Sequence, residues 1–94
     1  MLIVAGHLTV APTHREAYLD GCREVVELAR TTDGCLDFAL AADPIEAGRI
    51  NVFERWRSVA DLETFRGAGP QGPTAEAILG ADVEQYEVRP WPTD

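Results

Sequence analysis

The order of elements in this sequence, strand, helix, two strands, helix, strand, predicts an α+β domain with a four-stranded antiparallel sheet and both helices on one face. Three observations carry the prediction. Period-two alternation recurs in separate stretches, helical spacing occupies the stretches between them, and each of the two longer helical stretches opens on a capping signature.

Leu2, Val4, Leu8 and Val10 alternate with Ile3, Ala5, His7 and Thr9, which makes strand one. Pro12 follows, and Thr13-His14-Arg15-Glu16 reads as a capping box, with Thr13 as the cap. The helix it opens carries Ala17, Tyr18, Cys22, Val25 and Ala29 at helical spacing, and Arg30 with Asp33-Gly34 stops it. Leu36, Phe38 and Leu40 alternate with Asp37 and Ala39 as strand two. The connector Asp43 to Gly48 leads into strand three, where Ile50, Val52, Glu54 and Trp56 oppose Asn51, Phe53 and Arg55. Ser58 caps the second helix with Asp61 at the return position, and Val59, Leu62 and Phe65 form its apolar side. Gly67 to Pro73 is a Gly/Pro break, Thr74 to Leu79 reads as helical turns ended by Gly80, and Ala81 to Val88 is the last strand. Pro90-Trp91-Pro92 cannot readily extend a ladder.

This order is the split βαβ arrangement of ferredoxin-like folds. Helices on one face leave the other open, with Ile3, Ala5 and Phe53 expected there. An open apolar face on a short chain calls for a partner, and a two-fold homodimer is the simplest closure. At 94 residues the sequence is read as one domain, residues 1 to 94, without room for a second core.

Composition excludes several classes of function. Eight Arg and no Lys face sixteen Asp and Glu, for a formal charge of −8. So acidic a surface repels phosphate backbones and anionic lipid, which argues against nucleic acid and membrane as partners. Cys22 and Cys35 lie far apart, with no metal-ligand spacing between them or with His7 and His14, so free buried thiols in a reducing, cytoplasmic setting are expected. The apolar start has no basic leader and alternates like a strand, so neither a signal peptide nor a membrane span is expected. Gly67 to Gly72 matches G-x-G-x-x-G, but a helix precedes it and Pro70 removes a donor. A connector or lid is the better reading than a dinucleotide loop.

The richest stretch is Arg49 to Trp56. Glu54 and Trp56 project with Val52 towards the helices, where burial would raise the carboxyl pKa and suit it to proton transfer. The competing reading, favoured on residue type, is an ion pair of Glu54 with an arginine such as Arg66. Trp56 by itself reads as a core plug, and His7 as a structural residue of the open face.

Pro12, Asp33-Gly34-Cys35-Leu36, Asp43-Pro44 and Phe53-Glu54-Arg55-Trp56 with Ser58 and Leu62, in this order, resemble the antibiotic biosynthesis monooxygenase family. That family's pattern has a P-G-C-L turn, a D-P turn and an E-R-W-x-S motif, and the resemblance covers nearly the whole chain. It implies a dimeric α/β barrel in which two open sheet faces pack together. It also implies chemistry: some members oxygenate anthrones or quinols with O₂ and neither metal nor flavin, while others degrade haem, isomerise a small phosphorylated signal or have no assigned activity. In the anthrone type an Asn stands four residues before the motif Trp, with tyrosines on strand two and helix two. Here Val52, Leu40 and Leu62 hold those places, and Phe65 stands where the wider family has a His on helix two. Haem degraders carry an Asn on strand one, where this chain has Gly6 or His7.

The expected pocket is therefore apolar, built from Phe38, Leu40, Val52, Trp56, Leu62 and Phe65, with Tyr18 offering a hydroxyl and Glu54 and Arg66 as its polar members. It suits a flat aromatic or quinol-like ligand. The expected function is a cofactor-independent monooxygenase of an aromatic, quinol or polyketide-type molecule, with O₂ as co-substrate and no metal. Glu54, or His7 if it faces inward, accepts the proton, and Trp56 positions the substrate. Two other classes remain open: a non-catalytic binding module for an aromatic metabolite, and a Glu54-dependent isomerase or cyclase.

Overall fold

The alternating stretches become strands and the stretches at helical spacing become helices in the computed structural model, which describes residues 1–68 and 77–92. The chain runs through β1 (Leu2–Val10), a 3-10 turn (Pro12–His14), α1 (Arg15–Thr31), β2 (Cys35–Ala42), β3 (Arg49–Trp56), α2 (Val59–Ala68) and β4 (Ile78–Glu87). The sheet order is β2-β3-β1-β4, antiparallel at every pair. The α1 crossover thus joins central β1 to edge β2, β3 inserts between them, and β4 is the other edge. This is the ferredoxin-like β-α-β-β-α-β architecture.

Register decides which side chains share a face. Val4 stands opposite Glu54, Gly6 opposite Val52 and Leu8 opposite Ile50, while Phe38 lies beside Glu54 and Leu40 beside Val52. These positions face the helices. Leu2, Val4, Phe38 and Trp56 pack with Ala29 of α1 and Leu62 of α2 into one core cluster. Val25 and Val26 of α1 and Phe65 of α2 lie against it half-buried. The opposite face carries Ile3, Ala5, His7, Phe53 and Tyr86, with Ala5 between Phe53 and Glu84, and His7 between Asn51 and Asp82. Phe53 and Tyr86 are exposed there, so the chain alone leaves this face uncovered.

Three local expectations are revised. Thr13 does not cap α1: the chain enters through the 3-10 turn, with His14 at the cap position and no side-chain cap bond. Pro12 at the first position of that turn supplies the fixed φ instead. Leu36 does not join the core face, because the β2–β3 register shifts between Cys35 and Asp37. A bulge sets an extra residue against the partner strand, and Leu36 is turned outward and exposed. Strand β4 starts at Ile78, so Ile78 and Leu79 are strand rather than helix. Of the helical turns expected over 74–79, residues 74–76 lie outside the described residues, as does most of the expected lid at 67–73.

Ser58 behaves as expected. Its Oγ accepts the Asp61 amide at 3.2 Å and donates to the Asp61 carboxylate at 2.9 Å. Arg57 binds Asp61 at 2.9 Å and Asp33 at 3.1 Å, tying the start of α2 to the turn before β2. The Arg57 guanidinium and the Ser58 hydroxyl hold the Asp61 carboxyl below its ordinary pKa. Gly34 makes this approach possible, since its φ is +88° and a Cβ there would collide with the Asp61 side chain.

The Asp43-Pro44 turn is a second anchor. Asp43 Oδ2 accepts the amides of Ile45 at 3.0 Å and Glu46 at 2.8 Å, and Oδ1 accepts Asn51 Nδ2 at 2.9 Å. Arg15, at the start of α1, donates to the carbonyls of Asp43, Glu46 and Arg49. The bonds from the Glu46 amide, Asn51 and the Ile45 amide, in that order, pull the Asp43 pKa from 3.8 down to about 2. A depressed carboxyl stabilises the fold above its unfolded value and loses that contribution as pH falls through the folded one. The urea midpoint of the wild-type protein is therefore expected to fall between pH 3.8 and about 2. Asp43→Asn should be less stable at neutral pH and lose the part of that slope that Asp43 causes; an unchanged slope would remove Asp43 from this role.

Candidate functional site

The helix-facing end of β3 brings a carboxylate and an indole together. Glu54 and Trp56 are two residues apart on one face, and the Trp56 Nε1–H donates to Glu54 Oε1 at 3.0 Å. Glu54 is buried, the single charged residue so placed among the described residues. Burial pushes its pKa up from the ordinary 4.5, and the indole donor and the positive charge of Arg66 each pull back part of that rise. The ion pair favoured on residue type is not formed: Arg66 is exposed on the last turn of α2, and among the described residues no ion pair includes Glu54. The hydrogen-bonding partner comes from the same strand instead.

Two further aromatic rings pack against the Trp56 side of this pair. Phe38 and Trp56 meet edge-on with centroids 6.4 Å apart, Phe38 and Phe65 at 6.1 Å, and Trp56 and Phe65 at 5.3 Å with planes tilted 37°. Phe38, Val52, Trp56 and Leu62 are buried, and Leu40 and Phe65 are half-buried. All six expected lining residues thus lie on the helix-facing side, and all but Val52 pack together in the core cluster. Phe65 is the ring of the three with an exposed side, at the end of the cluster where α2 closes.

Other expected members stand apart. His7 is paired with Asn51 and Asp82, one residue out of phase with Val52 and Glu54, so it lies on the opposite sheet face and cannot exchange a proton with a ligand beside Glu54. Tyr18 lies on α1 one turn before Cys22, and its hydroxyl is beside that thiol. Burial first, and then the thiol, raise the Tyr18 pKa, and burial raises that of Cys22. A groove of about 410 Å³ runs between α1 and the β2 edge, lined by Leu19, Cys22, Val26, Arg30 and Leu40 among others. Leu40 therefore faces that groove as well as the core, and the groove does not reach Glu54 or Trp56.

Cys35 is the neighbour that sequence reasoning undervalued. It sits opposite Trp56 at the bulge, packs half-buried on the core and donates to the Asp37 carbonyl at 3.6 Å. Burial and then the Glu54 charge raise its pKa, so it stands as a neutral thiol close to the carboxylate. The signal was the Asp-Gly-Cys-Leu turn, whose bulge brings Cys35 to this place. Asn51 faces away from the site, bound to Asp43 and Arg49. Among the described residues no group of three or more His, Cys, Asp or Glu stands close enough to hold a metal ion, and no helix is long and apolar enough to cross a membrane.

A buried carboxyl whose pKa is raised by burial, with a donor fixing one oxygen, is suited to hold and release a proton beside an aromatic ligand. Known proteins place the chain in a family. The pattern that defines the antibiotic biosynthesis monooxygenases matches residues 1–76. An uncharacterised protein of Synechocystis is 29% identical over 62 residues, which are 66% of this chain, and the chain spans 42% of that relative. A structure from Nitrosomonas europaea named for the same family superposes with a TM-score of 0.78 at 14% identity, covering 94% of this chain and 98% of its own. A Pseudomonas aeruginosa structure gives 0.75 at 26% identity, covering 94% of each chain. A heme-degrader from Mycobacterium tuberculosis, with two hemes bound in its active site, gives 0.68 at 15% identity over 99% of this chain and 100% of its own. The structural likenesses at 14% and 15% identity establish the fold, and the match over residues 1–76 establishes more: this chain belongs to the antibiotic biosynthesis monooxygenase family.

Proposed function

We propose that the protein is a cofactor-independent monooxygenase of an electron-rich aromatic, such as a phenol, quinol or anthrone. The observation that carries this reading is the buried Glu54, hydrogen-bonded to Trp56, whose ring packs against Phe38 and Phe65. Glu54 takes a proton from the substrate, and the resulting carbanion or phenolate is the reductant of O₂. For an anthrone, the ring methylene loses two hydrogens and gains one oxygen atom. The second oxygen atom leaves as water, so the substrate supplies all four electrons. The protein's own part is to exclude water, orient the ring against Trp56 and carry the proton at the Glu54 carboxylate. His7 has no part in this, since it lies on the other sheet face.

The working unit in this reading is a two-fold dimer closed over the open sheet face, where Phe53, Ala5, Ile3 and Tyr86 form an apolar patch that one copy leaves exposed or half-buried. The cell compartment is the cytoplasm, in keeping with two free cysteines.

The test is oxygen uptake by metal-stripped protein with a panel of anthrones and hydroquinones, beside Glu54→Gln. Uptake that depends on the protein and is lost in the variant supports the assignment. Uptake that survives the substitution removes Glu54 from the mechanism. Ligand quenching of tryptophan emission without uptake favours a binding module, and product formed without oxygen favours an isomerase or cyclase.

A further inference from the structure

Strand β2 enters the sheet through a bulge, and the bulge turns a thiol towards the buried carboxylate and indole. Cys35 stands opposite Trp56 before the register shifts, and Phe38 stands opposite Glu54 after it. Leu36, between them, is turned outward and exposed. Cys35 packs half-buried against the core cluster that holds Phe38 and Trp56. We propose that Cys35 is a positioning residue for the Glu54 carboxyl: with Phe38 it closes the β2 side of the Glu54–Trp56 pair to water, and its thiol withholds a donor from the carboxylate. The proposal rests on the reading of Glu54 as the proton acceptor and names what keeps that acceptor poised.

The direction of the thiol hydrogen matters most. Cys35 Sγ donates across the bulge to the Asp37 carbonyl of its own strand at 3.6 Å. A thiol has one hydrogen and is a weak donor, so none is left for Glu54. Among the described residues, the donor that Glu54 does receive is the Trp56 indole, at 3.0 Å. Burial penalises the charged carboxylate, and the indole offsets only part of that penalty. A hydroxyl at position 35, or water admitted in place of the sulfur, would solvate the charge and undo the arrangement. The thiol itself stays neutral, its ionisation opposed first by burial and then by the Glu54 charge.

The other charged groups that reach these side chains lie on three elements. Arg66 of α2 acts on Glu54, while Asp37 of β2 and Arg30 of α1 act on Cys35. From β1 the residue opposite Glu54 is Val4, which carries no charge. A substitution at position 35 leaves all of these in place, so a change in the titration of Glu54 belongs to the thiol.

The test follows Glu54 without substrate, through the pH dependence of tryptophan emission in a Trp91→Phe background. Trp91 is exposed, so its replacement leaves Trp56, bound to the carboxylate, as the reporter. The transition that belongs to Glu54 is the one that Glu54→Gln removes. Cys35→Ser, with a stronger donor of about the same size, should lower its midpoint by about one pH unit. Cys35→Val, apolar and without a donor, should leave the midpoint in place. Should that variant not fold, Cys35→Ala replaces it, and its midpoint must lie nearer the wild type than that of Cys35→Ser. A residue with only a packing role would change the urea midpoint and leave the pH midpoint where it was, which overturns the proposal. An equal pH shift in both variants overturns it too. Where the aromatic is turned over, the acid limb of the pH–rate profile should move to lower pH in Cys35→Ser alone. A protein without oxygen uptake that still shows the Cys35→Ser shift refutes the oxygenase reading and keeps the coupling. A wild type with no transition that Glu54→Gln removes overturns both.

Discussion

Glu54→Gln is expected to lower kcat on a turned-over aromatic by about 10²–10⁴-fold, the contribution of a positioned proton acceptor, while the fold persists. Glutamine keeps the shape and an oxygen that accepts the Trp56 indole N–H, so the 3.0 Å hydrogen bond has a replacement. The carboxyl itself is a burden on stability at neutral pH. Its folded pKa is raised above the ordinary 4.5, chiefly by burial. The native state therefore binds the proton more tightly than the unfolded chain, and stability declines as pH rises from 4.5 through the folded value. Glu54→Gln should abolish that decline and be as stable as the wild type or more so at pH 7. Urea unfolding against pH, set beside kcat, reads both effects. A variant that loses stability and activity together would mean that Glu54 is a structural residue.

Trp56→Ala is expected to cost about 3–5 kcal/mol, as truncation of a large buried aromatic does. Trp56 is fully buried and the largest such side chain among the described residues, with Phe38 and Phe65 against its ring. A domain of this size has about 5–15 kcal/mol in total, so the variant should unfold at much lower urea or lose its cooperative transition. Lost activity in Trp56→Ala therefore says little about chemistry. Trp56→Phe is the informative companion. It keeps most of the apolar contact and removes the donor that holds the Glu54 pKa down. The lower limb of the pH–rate profile should then move to higher pH. A profile that stays in place would deny the indole N–H any influence on the carboxylate.

Much of the fold was legible because alternation and helical spacing are local. Leu2 and Val4 on β1, Ile50 to Trp56 on β3 and the Ser58 cap could be placed from neighbours two to four residues away. The errors are where a distant contact decides. The alternation of Leu36 with Phe38 looks regular, and only pairing with β3 shows the bulge that exposes Leu36. Ile78 and Leu79 follow a short stretch of good helix formers, yet β1 recruits Ile78 as the partner of Val10. At the site, the placing of Glu54 and Trp56 on one face was readable from their spacing. Their hydrogen bond was not, because residue type favours an ion pair with Arg66, and only the fold shows α2 holding that arginine exposed.

What the sequence by itself determined was the order of elements, the face each strand turns to the helices and the family, all written in patterns of near neighbours and short motifs. The structure agrees with the open-face place that alternation gives His7, and it alone decided that Trp56 rather than Arg66 partners Glu54. It also decided that Cys35 stands near the carboxylate, and that the apolar side chains expected around a pocket are packed on one another. The physical reason is that burial and pKa depend on everything within a few ångströms in space, and for Glu54 those neighbours come from separate strands and a helix. No stretch of chain records their approach.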